Sequence, residues 1–238
     1  MSEISPVRVT SSVRIVGAGL LGASIGLALK AKGSDVILAD SSPSNVQLAC
    51  DLGAGRPQTE SDTPGIVVVC VPPDVTADVI ATELSSFPHA VVTDVASVKQ
   101  APLEVLHKRN IDLTNYVGSH PLAGREKGGA ISARADLFVG RPWVVCRDEH
   151  TSAAAVSLLE DLILDLGAVP IEMTAHDHDV AVGLVSHVPQ LISSVMAKQL
   201  EHASDDAVRI AGQGVRDVTR IAPSSPELWI QILSAPPD

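Results

Sequence analysis

Short apolar runs without polar alternation punctuate the first two thirds of the chain. They are VRIVG (13–17), DVILAD (35–40), GIVVVCVPP (65–73), AVVTDVAS (90–97), RPWVVCR (141–147) and AVPIEM (168–173). Strands covered on both faces have this pattern. Between them lie segments with apolar residues at helical spacing: 20–33, 42–54, 74–86, 98–108 and 152–167. In the last of these Val156, Leu159, Ile163 and Leu166 share one face. Ser42 is placed to cap the second helix, with Pro43 at its first position and Gly53 just past its end. Strand and helix alternating in this rhythm predict βαβ units: an α/β, Rossmann-type, doubly wound, mostly parallel sheet. After Met173 the strand signal stops. Residues 174–204 read as helix, with Pro189 as a kink or break. Two further helical stretches follow, near 204–213 and 226–234. The predicted organisation is a dinucleotide-binding domain over 11–173 and a smaller all-helical domain over 174–238. The segment GSHPLAGREKGG (118–129), with four glycines, reads as a loop too broken for regular structure.

Composition narrows the picture. At 45% hydrophobic and 19% charged, 238 residues can bury a substantial core. A formal net charge of −11 argues against a general nucleic-acid binder. The three cysteines, Cys50, Cys70 and Cys146, are odd in number and scattered, which favours reduced thiols and a cytoplasmic location. The N-terminus MSEISPVRVTSS lacks the apolar core of a signal peptide. No apolar stretch reads as long and uninterrupted enough to cross a membrane.

The first chemical motif is G-x-G-x-x-G, spelled by Gly17, Gly19 and Gly22. It follows a strand and opens a helix, and Asp40 ends the next strand, as a dinucleotide site requires. Leu20 and Leu21 begin that helix, whose N-terminus would receive the pyrophosphate. Asp40 is the expected ribose ligand. No arginine or lysine occurs in the following SSPSN, so NAD is favoured over NADP. Ligands of such sheets bind beyond the carboxyl ends of the strands. Val71 and Pro72, Ser97, and His120 all belong to segments that reach this edge. A neutral imidazole there can accept a proton as hydride leaves, and a serine hydroxyl can orient it.

The stretches VGAGLLGASIGLALK (16–30), DVASVK (94–99), GSHPLAGREKGG (118–129), HDHDVAVGLVSHVPQ (176–190) and RDVTRIAPSSPELW (216–229) resemble the prephenate dehydrogenase family of tyrosine biosynthesis, in the same order. The resemblance implies NAD-dependent oxidative decarboxylation of prephenate or arogenate. His120 would take the proton of the ring C4 hydroxyl, with Ser97 assisting. Arg220 would bind a substrate carboxylate, and Glu126 and Asp179 would form an ionic network at the mouth of the site. His187, in an apolar helical stretch, would help shape the pocket or fill a hydrogen-bonded structural role, and the resemblance implies a homodimer through the helical domain. Where the family often reads S-H-x-P-H, this chain has Gln190 in place of the second histidine. A neutral amide with both donor and acceptor suits the zwitterionic side chain of arogenate, or an amino-substituted analogue from secondary metabolism. The cluster His176, Asp177, His178 and Asp179 suggests a metal site only superficially, because helical neighbours two apart point away from each other; no metal is expected. Two other classes compete: a β-hydroxyacid dehydrogenase, which would need a catalytic lysine where only Lys198 is present, and a silent NAD-binding protein.

Overall fold

A computed structural model describes residues 7–123, 129–224 and 226–233. Among these, eight strands form one sheet in the order β3-β2-β1-β4-β5-β6-β7-β8. They are β1 (Val13–Val16), β2 (Val36–Ala39), β3 (Arg56–Pro57), β4 (Ile66–Val69), β5 (Val91–Asp94), β6 (Tyr116–Pro121), β7 (Pro142–Cys146) and β8 (Val169–Met173). Every pairing is parallel except β6 with β7. The order reverses direction between β1 and β4, which opens a crevice at the carboxyl ends of those strands.

The apolar runs alternate between two cores. Ile15, Leu38, Ile66 and Val68 point to one face of the sheet and pack with Ile25 and Leu29 of α1 (Leu20–Ala31) and Leu159 and Ile163 of α5 (Ala153–Asp165). Val67, Val69 and Val92 point to the other, against Ile80 of α3 (Pro73–Ser86) and Leu106 of α4 (Gln100–Lys108). Each such side chain, fully buried, contributes about 1.5–3 kcal/mol. Arg14 breaks the apolar pattern of β1. Its guanidinium donates to both Glu83 oxygens, at 2.7 and 3.1 Å, and lies over the Phe87 ring, so its charge is buried only as part of a pair.

The second helix, α2 (Pro43–Asp51), begins after Ser42 with Pro43 in its first turn, and Gly53 beyond it takes a φ of +84°. The structure departs from expectation at the broken segment. Residues Tyr116–Pro121 form β6 despite Gly118 and Pro121, because β7 runs antiparallel beside them and supplies a ladder from Gly118↔Cys146 to Pro121↔Trp143. The two-residue β3 is also new.

Beyond Met173 all described structure is helical: α6 (Ala175–Val182), a π-helical turn (Gly183–His187), α7 (Val188–Leu200), α8 (Asp205–Arg209), α9 (Gln213–Thr219) and α10 (Pro226–Leu233). Thr174 caps α6 by accepting from the Asp177 N–H. Pro189 does not break the helix. It sits in the first turn after the π segment, whose wider turn absorbs the missing proline N–H. The result is one 26-residue helix, Ala175–Leu200. By length and composition this helix is apolar enough to cross a membrane, contrary to the reading that treated Pro189 as a break. Its amphipathicity is inverted. Leu184, Val188, Leu191 and Val195, at i, i+4, i+7 and i+11, are exposed, whereas Gln190 and Ser193 are buried.

Candidate functional site

The glycine turn is shaped by contact, not only by flexibility. A Cβ on Gly17 would lie 2.3 Å from the Cys70 carbonyl oxygen, and one on Gly22 would lie 1.9 Å from the Gly17 carbonyl oxygen. A Cβ on Gly19 would meet nothing within 4 Å, so that side of the turn is open to a ligand. Gly19 also precedes α1 without a side-chain cap, leaving the N–H groups of Leu20 and Leu21 facing the opening. Asp40, just past β2, accepts from the Ala18 and Ser42 N–H groups, each at 2.8 Å. It is thereby fixed against the glycine turn. Val71 and Pro72 follow β4 at the same edge, immediately before α3.

Parallel pairing of β5 with β6 ends at Asp94↔Gly118. Beyond it, Ser97 is half-buried on the turn leading to α4, and His120 continues along β6 opposite Val144. A buried network knits this edge. Asp94 pairs with the Lys99 ammonium, accepts from the Ala96 N–H at 2.9 Å and accepts the Tyr116 hydroxyl at 2.7 Å. Burial, followed by the Asp94 charge, holds the Tyr116 phenol well above its usual range, so it stays a donor. Ser119 points to the face opposite its neighbour His120. Its hydroxyl donates to the Asp94 carbonyl at 2.8 Å and accepts from Thr93 and from the Trp143 indole, each at 3.0 Å. His120 is thus carried on a strand anchored at both neighbours.

The imidazole of His120 meets the helical segment. Its Nδ1 lies 2.9 Å from Nε2 of His178, and His178 Nδ1 lies 2.7 Å from Oδ1 of Asp179. Asp179 also accepts the Lys99 N–H at Oδ1 and the Gln100 N–H at Oδ2, each at 2.9 Å, at the start of α4. Burial lowers the pKa of His120 well below the usual histidine value, with His178, Lys99 and His187 adding to the shift, so the ring is neutral. Burial works against the Asp179 charge, but bonds from His178 and the two backbone N–H groups outweigh it and hold the carboxyl below its ordinary range.

The remaining expected residues divide. His187, at the end of the π turn, packs edge-on against Trp229 with ring centroids 5.8 Å apart. Its buried Nε2 finds no hydrogen-bond partner among the described residues. Gln190 is buried, and its amide is engaged within the protein. It donates to Ser194 Oγ and the Ile221 carbonyl, each at 3.2 Å, and accepts from Ser224 at 3.5 Å. These bonds tie α7 to the segment after α9. Arg220 lies exposed at the C-cap of α9, next to the Ile221 carbonyl that Gln190 holds. Glu126 lies outside the described residues. Among the described residues, Asp179 bonds to His178 and to the start of α4. Lys198 is exposed and pairs with Glu201 at 2.9 Å, pointing away from catalytic use.

Sequence reasoning passed over His178, Asp94, Lys99 and Tyr116. His178 was visible only as part of an apparent metal cluster. Its adjacency to Asp179 was the available signal, but its partner His120 lies 58 positions away.

Residues 25–172 match the family profile described as "Prephenate dehydrogenase, nucleotide-binding domain", and residues 174–238 match "Prephenate dehydrogenase, dimerization domain". The chain is 37% identical over 222 residues to a protein of Streptomyces niveus described as "Probable prephenate dehydrogenase NovF", covering 93% of this chain and 61% of that protein. It is 31% identical over 235 residues to the prephenate dehydrogenase of Bacillus subtilis, covering 93% and 63%. It therefore spans a little over three fifths of the length of these curated relatives. The prephenate dehydrogenase of A. aeolicus, solved with hydroxyphenyl propionate and NAD+, superposes with a TM-score of 0.84 at 30% identity, over 94% of this chain and 82% of that one. With both family profiles matched in sequence order, and the strand, glycine turn and helical segment arranged as described, the chain belongs to the prephenate dehydrogenase family.

Proposed function

We propose that this chain carries out NAD-dependent oxidative decarboxylation of a cyclohexadienyl substrate, prephenate or arogenate. The observation that carries the reading is His120: a neutral, partly buried imidazole at the carboxyl edge of the sheet, beside a glycine turn open on its ligand side. The residues present fit the cofactor. Gly17, Gly19 and Gly22 let its pyrophosphate approach the start of α1, and the carboxylate of Asp40 suits a ribose hydroxyl and repels a 2′-phosphate. NAD+, when bound there, supplies the hydride acceptor.

The protein's own residues supply the rest. His120 Nε2, the ring nitrogen not engaged with His178, takes the proton of the C4 hydroxyl. The C4–H electrons leave as hydride and C4 becomes a carbonyl. The bond from C1 to the ring carboxylate then breaks, CO2 departs, and the electron pair passes through the ring to the C4 oxygen, which recovers the proton from His120 and leaves an aromatic phenol. Ser97 assists beside His120, and Arg220 holds a carboxylate of the substrate by bidentate pairing. His187, whose Nε2 has no hydrogen-bond partner among the described residues, contributes a polar contact beside Trp229. The inverted face of Ala175–Leu200 supports a homodimer. Leu184, Val188, Leu191 and Val195 form an apolar stripe within the segment matched by the dimerization profile, and a second copy would cover it. Free cysteines support a reducing, cytoplasmic setting.

The test is NADH formation by the full chain with NAD+ and prephenate or arogenate at equal concentration. Turnover of either is expected. His120→Asn should reduce kcat by roughly 10²–10⁴ while leaving NAD+ affinity unchanged. Absence of turnover with both substrates would refute the reading.

A further inference from the structure

The His120–His178–Asp179 chain joins residues from three separate elements. His120 comes from β6, His178 and Asp179 from α6, and the two N–H groups on Asp179 from the start of α4. His178 is completely buried, so its ring is held between its two partners and not by solvent. We propose that His178 and Asp179 are positioning residues that set the tautomer of His120, keeping its Nδ1 protonated and its Nε2 bare as the proton acceptor.

The argument runs along the hydrogen bonds. Each oxygen of Asp179 accepts one backbone N–H from α4, and Oδ1 faces His178 as well. A carboxylate only accepts, so His178 Nδ1 must carry the hydrogen. With a single proton on the His178 ring, its Nε2 is a lone pair, which accepts from His120 Nδ1–H. His120 is left with Nε2 unprotonated. When Nε2 takes a proton, the imidazolium forms within reach of a partly buried carboxylate, through one intervening ring. The charged and titratable groups around His120 are His178 and Asp179 from α6, His187 from the π turn, and Lys99 from the turn after β5, itself paired with Asp94. Lys99 and His187 oppose positive charge on His120. Asp179 is the anion connected to it by hydrogen bonds.

This role rests on the proposed reaction for its use but not for its detection. The full chain, labelled with ¹⁵N-histidine, reports the tautomer of each ring by NMR with no substrate present. The expected result is His120 as the Nδ1–H form. Asp179→Asn places an amide donor against His178, which should reverse both rings and give His120 as Nε2–H. His178→Gln keeps the Asp179 cap on α4 and should leave His120 without a single preferred tautomer. Both variants should lower kcat on the order of 10² with KM changed less than about threefold. A merely structural role would move KM and melting temperature and leave the tautomer alone. Wild-type His120 found as Nε2–H, or a tautomer unchanged in both variants, would overturn the proposal. Tautomer reversal in a protein that turns over neither substrate would uphold the relay and refute the reaction instead.

Discussion

A partly buried histidine set among two other histidines and a lysine disfavours a second proton, and this governs how the site responds to pH. The folded pKa of His120 lies well below 6.5, chiefly through burial. The competent neutral form therefore persists below the usual histidine range, and activity should be lost only as pH falls through the depressed folded value. Stability follows the same sign. Between the folded value and about 6.5, the unfolded chain binds a proton that the native chain does not. Stability is then fully present above pH 6.5 and declines as pH falls through that window. Urea melts across this range should show a slope that flattens in His120→Asn. At this scale the sequence was informative for Asp40 and the glycines, whose work depends on near neighbours. It was uninformative for Gln190, whose amide is consumed by Ser194, Ile221 and Ser224. The buried glutamine that stands in place of the second histidine also holds the segment carrying Arg220.

Among elements, β1 and α3 are joined by more than apolar packing. Arg14 and Glu83 are both buried and bidentate, and Arg14 additionally donates to Gln58 at 2.5 Å. Removing one partner leaves the other charge buried and unpaired. Glu83→Ala should therefore cost about 3–5 kcal/mol, read as a lowered denaturant midpoint with the slope unchanged. The strand β6 makes a related point. It extends past β5 because β7 turns antiparallel to it, and this extension places His120 beyond the sheet edge and against α6.

For the whole molecule, the helix Ala175–Leu200 turns an apolar face outward. Leu184 is 70% exposed and Ile192 57% exposed on a helix whose inward side holds Gln190 and Ser193. A charge on that face disturbs no core of the single chain but would be buried without a partner in a dimer. Leu184→Glu with Ile192→Glu should weaken self-association at least tenfold, about 1.4 kcal/mol or more, with the melting behaviour of the nucleotide-binding portion retained. Light scattering coupled to size exclusion would read the mass. A variant mass equal to that of the parent would argue against this face as the interface.

The sequence by itself determined the alternation of buried strands and helices, the glycine turn with Asp40, and the change to all-helical structure after Met173. These signals are local: periodicity, caps and spacing act over one or two turns of chain. Tertiary structure decided the rest. Gly118–Pro121 became strand because a partner offered a ladder, and Pro189 passed through a helix because a π turn absorbed its missing N–H. His120 and His178 met because β6 and α6 converge at one sheet edge. A hydrogen bond between residues far apart in the chain leaves no periodic trace, since its geometry exists only once the intervening elements have packed.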